Sequence, residues 1–121
     1  MGVLTMMSEQ EMKSMEQYAL GILKNAPTKK WVNVLQTESG SVVFSFDDLT
    51  GEDTATALKK CGETWVKKAI TVCNTGVCPP CAGVRDILLK LDSRNALTEV
   101  IGQGRDSLQV RTLENYVPER K

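Results

Sequence analysis

The stretch that decides the fold is VKKAITVCNTGVCPPCAGVRDILLKLD, residues 66–92. Val66 to Val72 reads as a strand: Val66, Ile70 and Val72 are β-branched, and Asn74-Thr75-Gly76 bounds the run with turn residues. From Cys78 to about Asp92 the period changes. Val84, Ile87, Leu88 and Leu91 stand at i, i+3, i+4 and i+7, which predicts an amphipathic helix. Pro79 and Pro80 suit its first turn, where a missing N–H leaves no bond unmade. The motif Cys78-Pro79-Pro80-Cys81 is therefore expected to open a helix at a strand-to-helix junction.

The reading extends outward in both directions. Upstream, Ser8 and Glu11 form an S-x-x-E capping box. Met12, Met15, Ala19, Ile22 and Leu23 then share one helix face as core packing, and Asn25 with Pro27 ends the helix. Trp31 to Leu35 and Val42 to Phe46 are β-rich runs around Glu38-Ser39-Gly40-Ser41, which predicts an antiparallel hairpin. Gly51 to Lys60 reads as a second helix with Thr50 and Asp53 placed as caps. Downstream, Leu97 to Ile101 and Leu108 to Leu113 are two further strands around Gly102 to Asp106, followed by a polar tail at 114–121. The order is helix-strand-strand-helix-strand-helix-strand-strand. It predicts an α/β fold: a single-domain sandwich over residues 1–121, with a mixed sheet of about five strands and about three helices. The strand at 66–73 is expected between the hairpin and the later strands, with the starts of the second and third helices at one end of the sheet.

Composition narrows the chemistry. Fifteen Lys+Arg balance fifteen Asp+Glu, so neither a strongly basic phosphate-neutralising module nor an acidic tail is present. The 41 % apolar and 25 % charged content is that of a globular domain. No apolar run is long enough to span a membrane, and Met1 to Met7 lacks the basic and apolar regions of a secretory signal. Histidine is absent, which removes Ser-His-Asp hydrolysis, Cys-His nucleophiles and His-based metal sites. Cys61, Cys73, Cys78 and Cys81 cluster in one short segment instead of stapling distant parts of the chain. That usage favours metal or redox chemistry in a reducing compartment, so a cytoplasmic location is expected.

A helix start supplies partial positive charge and free N–H groups, which favour thiolate. Two residues between Cys78 and Cys81 let both thiolates reach one tetrahedral zinc. The same spacing suits a redox dithiol, and two partly buried thiols acting as small apolar side chains are the plain alternative. Lys29-Lys30, Lys59-Lys60 and Lys67-Lys68 read as solvated faces or nucleic-acid contacts. Trp31, Phe44, Phe46 and Trp65 could stack a base, although Phe44 and Phe46 read better as core under a helix. Gly102-Gln103-Gly104 reads as a turn, not a phosphate loop.

The element order, with C-x-x-C at the third helix, resembles the cytidine deaminase-like superfamily, closest in flavour to bacterial polymorphic-toxin nucleic-acid deaminases. Those toxins also carry an Asn-containing loop before C-x-x-C, as in Val72-Cys73-Asn74-Thr75-Gly76-Val77-Cys78. The resemblance is topological over roughly residues 8 to 113. It implies zinc held by a His or Cys at the second helix start and by two Cys at the third, with a nearby Glu shuttling protons. Glu52 takes the Glu position, 26 residues before Cys78, which leaves room for a helix, a strand and two loops. Glu63 belongs to a literal Cys61-Gly62-Glu63, but only 14 residues separate it from Cys78, too few for a helix and a strand. Thr50 stands where the zinc-binding His or Cys is expected, and Thr50 and Glu52 also read simply as a cap and a helix-dipole carboxylate. With Cys78 and Cys81 as ligands, Cys73 is the expected third donor, and Cys61, Asp48 and Thr50 are alternatives. All four cysteines together would make a closed structural site. The implied function is a zinc-dependent nucleobase deaminase, a hydrolase acting on C–N bonds, with cytosine preferred. Its substrate would be a nucleoside or a single- or double-stranded polynucleotide. The alternative is an inactive deaminase fold with a structural zinc site that serves binding or assembly.

Overall fold

The structure, a computed structural model, describes residues 7–46 and 50–115. Helix α1 spans Glu9–Lys24 and opens with the anticipated box: the Glu11 N–H donates to Ser8 Oγ at 3.1 Å, and the Ser8 N–H donates to Glu11 Oε1 at 3.0 Å. The hairpin β1 (Trp31–Thr37) and β2 (Val42–Phe46) is antiparallel. Helix α2 (Glu52–Cys61), strand β3 (Val66–Cys73) and a short strand β4 (Gly76–Cys78) follow, then helix α3 (Ala82–Leu91). A 3₁₀ turn over Ser93–Leu97 leads to β5 (Glu99–Gln103) and β6 (Leu108–Thr112).

The strand order is β2-β1-β3-β5-β6, so β3 is central, as the sequence predicts. Only the β3–β5 pair is parallel, which is why a helical crossover joins these two strands, whereas short turns join β1 to β2, β3 to β4 and β5 to β6. β1 pairs with β3 along its whole length, so β4 and β5 share the opposite edge of β3. The sheet is covered on both faces. Met12, Ala19 and Leu23 of α1 pack on Val32, Val34, Ile70, Val72 and Ile101. Leu58 of α2 and Val84 and Leu88 of α3 pack on Leu35, Ala69 and Val100 from the other side. Burial on both faces explains why β1 and β3 carry nearly continuous apolar runs.

Three expectations are corrected. The chain after Asn74-Thr75 does not leave the sheet. It turns at Gly76, whose φ of +122° is costly for other residues, and returns as β4. The third helix starts at Ala82, not at Cys78. Cys78 and Pro79 each precede a proline, and the proline ring excludes the helical conformation for the residue before it. Phe44 is not core: it is 43 % exposed on edge strand β2, edge-on to the half-buried Phe46. The polar tail falls mostly outside the described residues.

One buried side chain ties α3 to the sheet. Asn95 Oδ1 accepts from the Val66 N–H at 2.8 Å, and its Nδ2 donates to the carbonyls of Thr64 and Leu88, each at 2.8 Å. No apolar residue can satisfy these three backbone groups at the start of β3 and the end of α3. Asn95→Ala is expected to cost about 3 kcal/mol in urea unfolding. Asn95→Asp should also destabilise, since it keeps the acceptor and loses both donors.

Candidate functional site

The starts of α2 and α3 meet at one end of the sheet. Gly51, before α2, has φ +87°, and a Cβ built there would collide with the Gly83 carbonyl oxygen and lie 2.8 Å from Ile87 Cγ2. The two helices therefore approach through backbone at this point, which only glycine allows. The N-cap of α2 is Gly51, without a side-chain cap, and not Thr50 as the sequence suggests; Thr50, one residue earlier, accepts the Glu52 N–H on its Oγ1 at 3.2 Å. Glu52 begins the helix with an exposed side chain and lines a groove of about 470 Å³ between α2 and α3. Ala55, Leu58, Ile87 and Leu91 give the groove an apolar lining, and Thr56, Lys59 and Thr64 complete it.

The cysteines do not form one set. Cys81 is the N-cap of α3 and packs, with Cys61 from the end of α2, against the Leu58–Val84–Leu88 core. One turn into α3 the residue is Val84, which is buried. Cys78 instead ends β4 opposite Thr71, and Cys73 lies near the hairpin turn, opposite Gly76. Cys73 and Cys78 lie on one face of β3 and β4, and Thr75 Oγ1 is 3.1 Å from Cys73 Sγ. Burial opposes ionisation of Cys73, yet hydrogen bonds from Thr75, Cys78 and the Gly76 backbone outweigh it, and the net shift is downward. Burial, and then the neighbouring Cys73, pushes the Cys78 thiol up to about 12.

Among the described residues, no three of His, Cys, Asp and Glu gather around a common point. The expected set of Cys73, Cys78 and Cys81 is split between the hairpin and the helix start. Asp48 lies outside the described residues. Among the described residues the helix starts hold no gathered donor set that fits zinc: Cys81 caps α3, the Thr50 hydroxyl accepts a bond from its own helix, and Val84 offers no donor. Glu63 lies beyond the end of α2, where its Oε2 accepts from Ser39 Oγ at 2.5 Å. It thereby joins the β1–β2 turn to the α2–β3 loop.

A polar row that the sequence reading does not anticipate lies beneath α2. Ser45, Asn33, Thr71 and Cys78 stand in register across β2, β1, β3 and β4. Thr71 donates to Asn33 Oδ1 at 2.7 Å, Asn33 Nδ2 donates to Ser45 Oγ at 3.3 Å, and Ser45 Oγ meets Thr54 Oγ1 of α2 at 2.9 Å. Its signal is Val-Asn-Val, Phe-Ser-Phe and Ile-Thr-Val, polar residues interrupting apolar strands at positions that share one face. Trp65 is not an open stacking platform. Lys67 Nζ sits 4.9 Å and Arg94 Cζ 4.1 Å from its ring centre. Lys68 pairs with Glu11 at 3.1 Å.

Solved structures share this architecture. A cytidine deaminase from Burkholderia pseudomallei superposes with TM-score 0.64 at 14 % identity, covering 93 % of this chain and 98 % of that one. The cytidine deaminase from Mycobacterium leprae gives 0.61 at 12 % identity, over 86 % and 94 % of the two chains. A mutant cytidine deaminase from Mycobacterium tuberculosis gives 0.56 at 17 % identity, over 74 % of each. No family model and no curated sequence matches the chain. The chain thus has the cytidine deaminase fold, and at these identities the likeness extends to fold alone. No helix among the described residues is long and apolar enough to cross a membrane.

Two outcomes are expected at this site. Gly51→Ala should lower stability by about 2–4 kcal/mol, while Gly40→Ala, with open space around its Cβ, should cost about 1 kcal/mol; denaturant melts compare them. Site-resolved alkylation by iodoacetamide across a pH series should label Cys73 at lower pH than Cys78, because thiolate is the reacting form.

Proposed function

We propose that this chain, built on the cytidine deaminase fold, works by binding a nucleobase-bearing ligand and not by turning it over. The observation that carries this reading is the pairing of helix starts. Gly51, at the start of α2, meets the Gly83 backbone and Ile87 of α3, and no three metal-binding side chains gather there among the described residues. No zinc-dependent step is derived from such a set. The α2–α3 groove supports binding. Its size lies within the usual range for small-ligand sites, and its apolar lining suits the face of a heterocycle. Glu52, in its lining, can accept hydrogen bonds from an exocyclic amino group, which cytosine and adenine carry.

A second reading, a zinc-dependent deaminase of cytosine in a nucleoside or polynucleotide, is favoured by one observation: Glu52 and Cys81 stand at the starts of the two helices that the fold brings together. Metal analysis and ammonia release separate the readings. Protein purified without chelator is expected to hold no stoichiometric zinc. It should release no ammonia from cytidine, adenosine, or single- or double-stranded oligonucleotides. Titration calorimetry with the same panel should detect binding that Glu52→Gln weakens about tenfold, the loss of one charge-assisted hydrogen bond. Ammonia release that depends on Glu52 would overturn the binding reading in favour of the second, and failure of every panel member to bind would overturn both. Installing donors by Thr50→Cys with Val84→Cys should create a site that takes up about one zinc per chain.

A further inference from the structure

We propose that the chain forms a homodimer in which edge strand β2 of one copy pairs antiparallel with β2 of a second copy, centred on Phe44. The first observation is where the backbone of β2 points. The Thr37 N–H donates to the Ser41 carbonyl at 2.8 Å, which makes Thr37 and Ser41 a hydrogen-bonded pair of the hairpin. Such pairs alternate along an antiparallel ladder, and the β1–β2 register runs without a bulge from Gln36 opposite Val42 to Val32 opposite Phe46. Val43 and Ser45 therefore spend their N–H and C=O groups on β1, while those of Val42, Phe44 and Phe46 point away from it. Among the described residues, no strand pairs with β2 on that side.

The side chains agree with the backbone. Val42, Phe44 and Phe46 share one face of the sheet. On that face α1 packs on β1, β3 and β6, whereas α2 packs on β2 from the other side. Val42 is left 46 % and Phe44 43 % exposed. Sheet edges are ordinarily guarded by a charge, a proline or a bulge. The opposite edge, β6, carries the exposed Arg111, but β2 is Val-Val-Phe-Ser-Phe and has no such guard.

The occupant that fits this edge is the same strand. With Phe44 on a two-fold axis, Phe44 exchanges both backbone bonds with the partner's Phe44, and Val42 does so with the partner's Phe46. This register uses all three outward-facing residues; moving the axis to Val43 or Ser45 leaves one of them with no strand residue opposite. It also sets apolar side chains directly across from each other, with the two Phe44 rings at the centre. Residues 41–46 carry no charge, and the chain balances 15 Lys+Arg against 15 Asp+Glu, so two copies meet without net repulsion. A two-fold pairing is closed, and Arg111 guards the remaining edge against extension. The α2–α3 groove lies inward of the paired edge, since α3 packs toward Val100 of β5, and it stays open in both copies.

Sedimentation velocity on the full-length chain, from about 1 μM to about 1 mM, should show a reversible equilibrium between monomer and dimer. Phe44→Lys should raise the dissociation constant at least tenfold, roughly the effect of two ammonium groups meeting across the axis, with an unchanged circular dichroism spectrum. Gln109→Lys, on β6, should leave the equilibrium as it is. Amide hydrogen exchange on the unmodified chain reads the register even if a variant fails to fold. Protection of the Val42, Phe44 and Phe46 amides should rise with concentration, while that of Val43 and Ser45, already bonded to β1, should not. A dimer that Phe44→Lys leaves intact, assembly beyond a dimer, or concentration-dependent protection confined to residues outside β2 would overturn the proposal. So would a chain that stays monomeric throughout, whose β2 edge would then serve a strand of another protein or none.

Discussion

The steric demand of two consecutive prolines organises the end of the sheet where the site lies. A residue before proline is held in extended backbone, so Cys78 and Pro79 cannot join a helix. Cys78 is left free to pair with Thr71 as the last residue of β4, and the helix begins one residue after Cys81. Had α3 started at Cys78, both cysteines of the motif would have lain on its first turn. The prolines instead move the first turn along the chain, and Val84 takes the inward position there, among Leu58, Leu88 and Val100. A change in helix start thus moves Cys78 from a helix turn to a strand end without altering any cysteine.

What holds the helix starts together is equally local. The Gly51–Gly83 approach is backbone on backbone, so α2 and α3 need no bridging ion to reach this distance. Beneath α2, the Ser45–Asn33–Thr71 row spans three strands and meets Thr54 of the helix. Each such hydrogen bond contributes only about 1 kcal/mol net, but an unmatched group at any of these buried positions costs more than that. The row therefore acts on register more than on total stability: a one-residue slip of β1 would send Asn33 into the apolar layer under α1.

The elements legible in the sequence are those with strong local period. The capping box at Ser8 and Glu11, the hairpin around Gly40, the central β3 and the two later strands all follow from pattern, because amphipathicity and turn chemistry are local properties. β4 is not legible, since three residues of Gly-Val-Cys carry no period and their pairing is set by the turn at Gly76. The start of α3 is displaced from its expected place because proline acts twice: its missing N–H suits a first turn, but its ring bars the preceding residue from the helix, and the second effect wins. At the site, chain length alone sets Glu52 and Thr50 at the start of α2 and Glu63 beyond its end, as the structure has them. The contact at Gly51 is invisible, because nothing in Thr-Gly-Glu names Gly83 as its neighbour.

The cysteines show why closeness along the chain is a poor guide to a common site. The segment from Cys61 to Cys81 crosses a helix end, a full central strand, a tight hairpin and a helix cap, and each step changes what a side chain faces. Cys61 and Cys81 are far apart in that segment, yet both meet the same apolar core, where a thiol serves as a small hydrophobe. Cys73 and Cys78 are joined by a turn and lie on one face of β3 and β4, and burial, then the neighbouring Cys73, raises the Cys78 thiol. Which cysteines neighbour each other is therefore set here by the β-hairpin register and not by closeness along the chain alone. A hairpin brings together residues that flank its turn, whereas a helix cap turns its residue toward whatever packs beneath it.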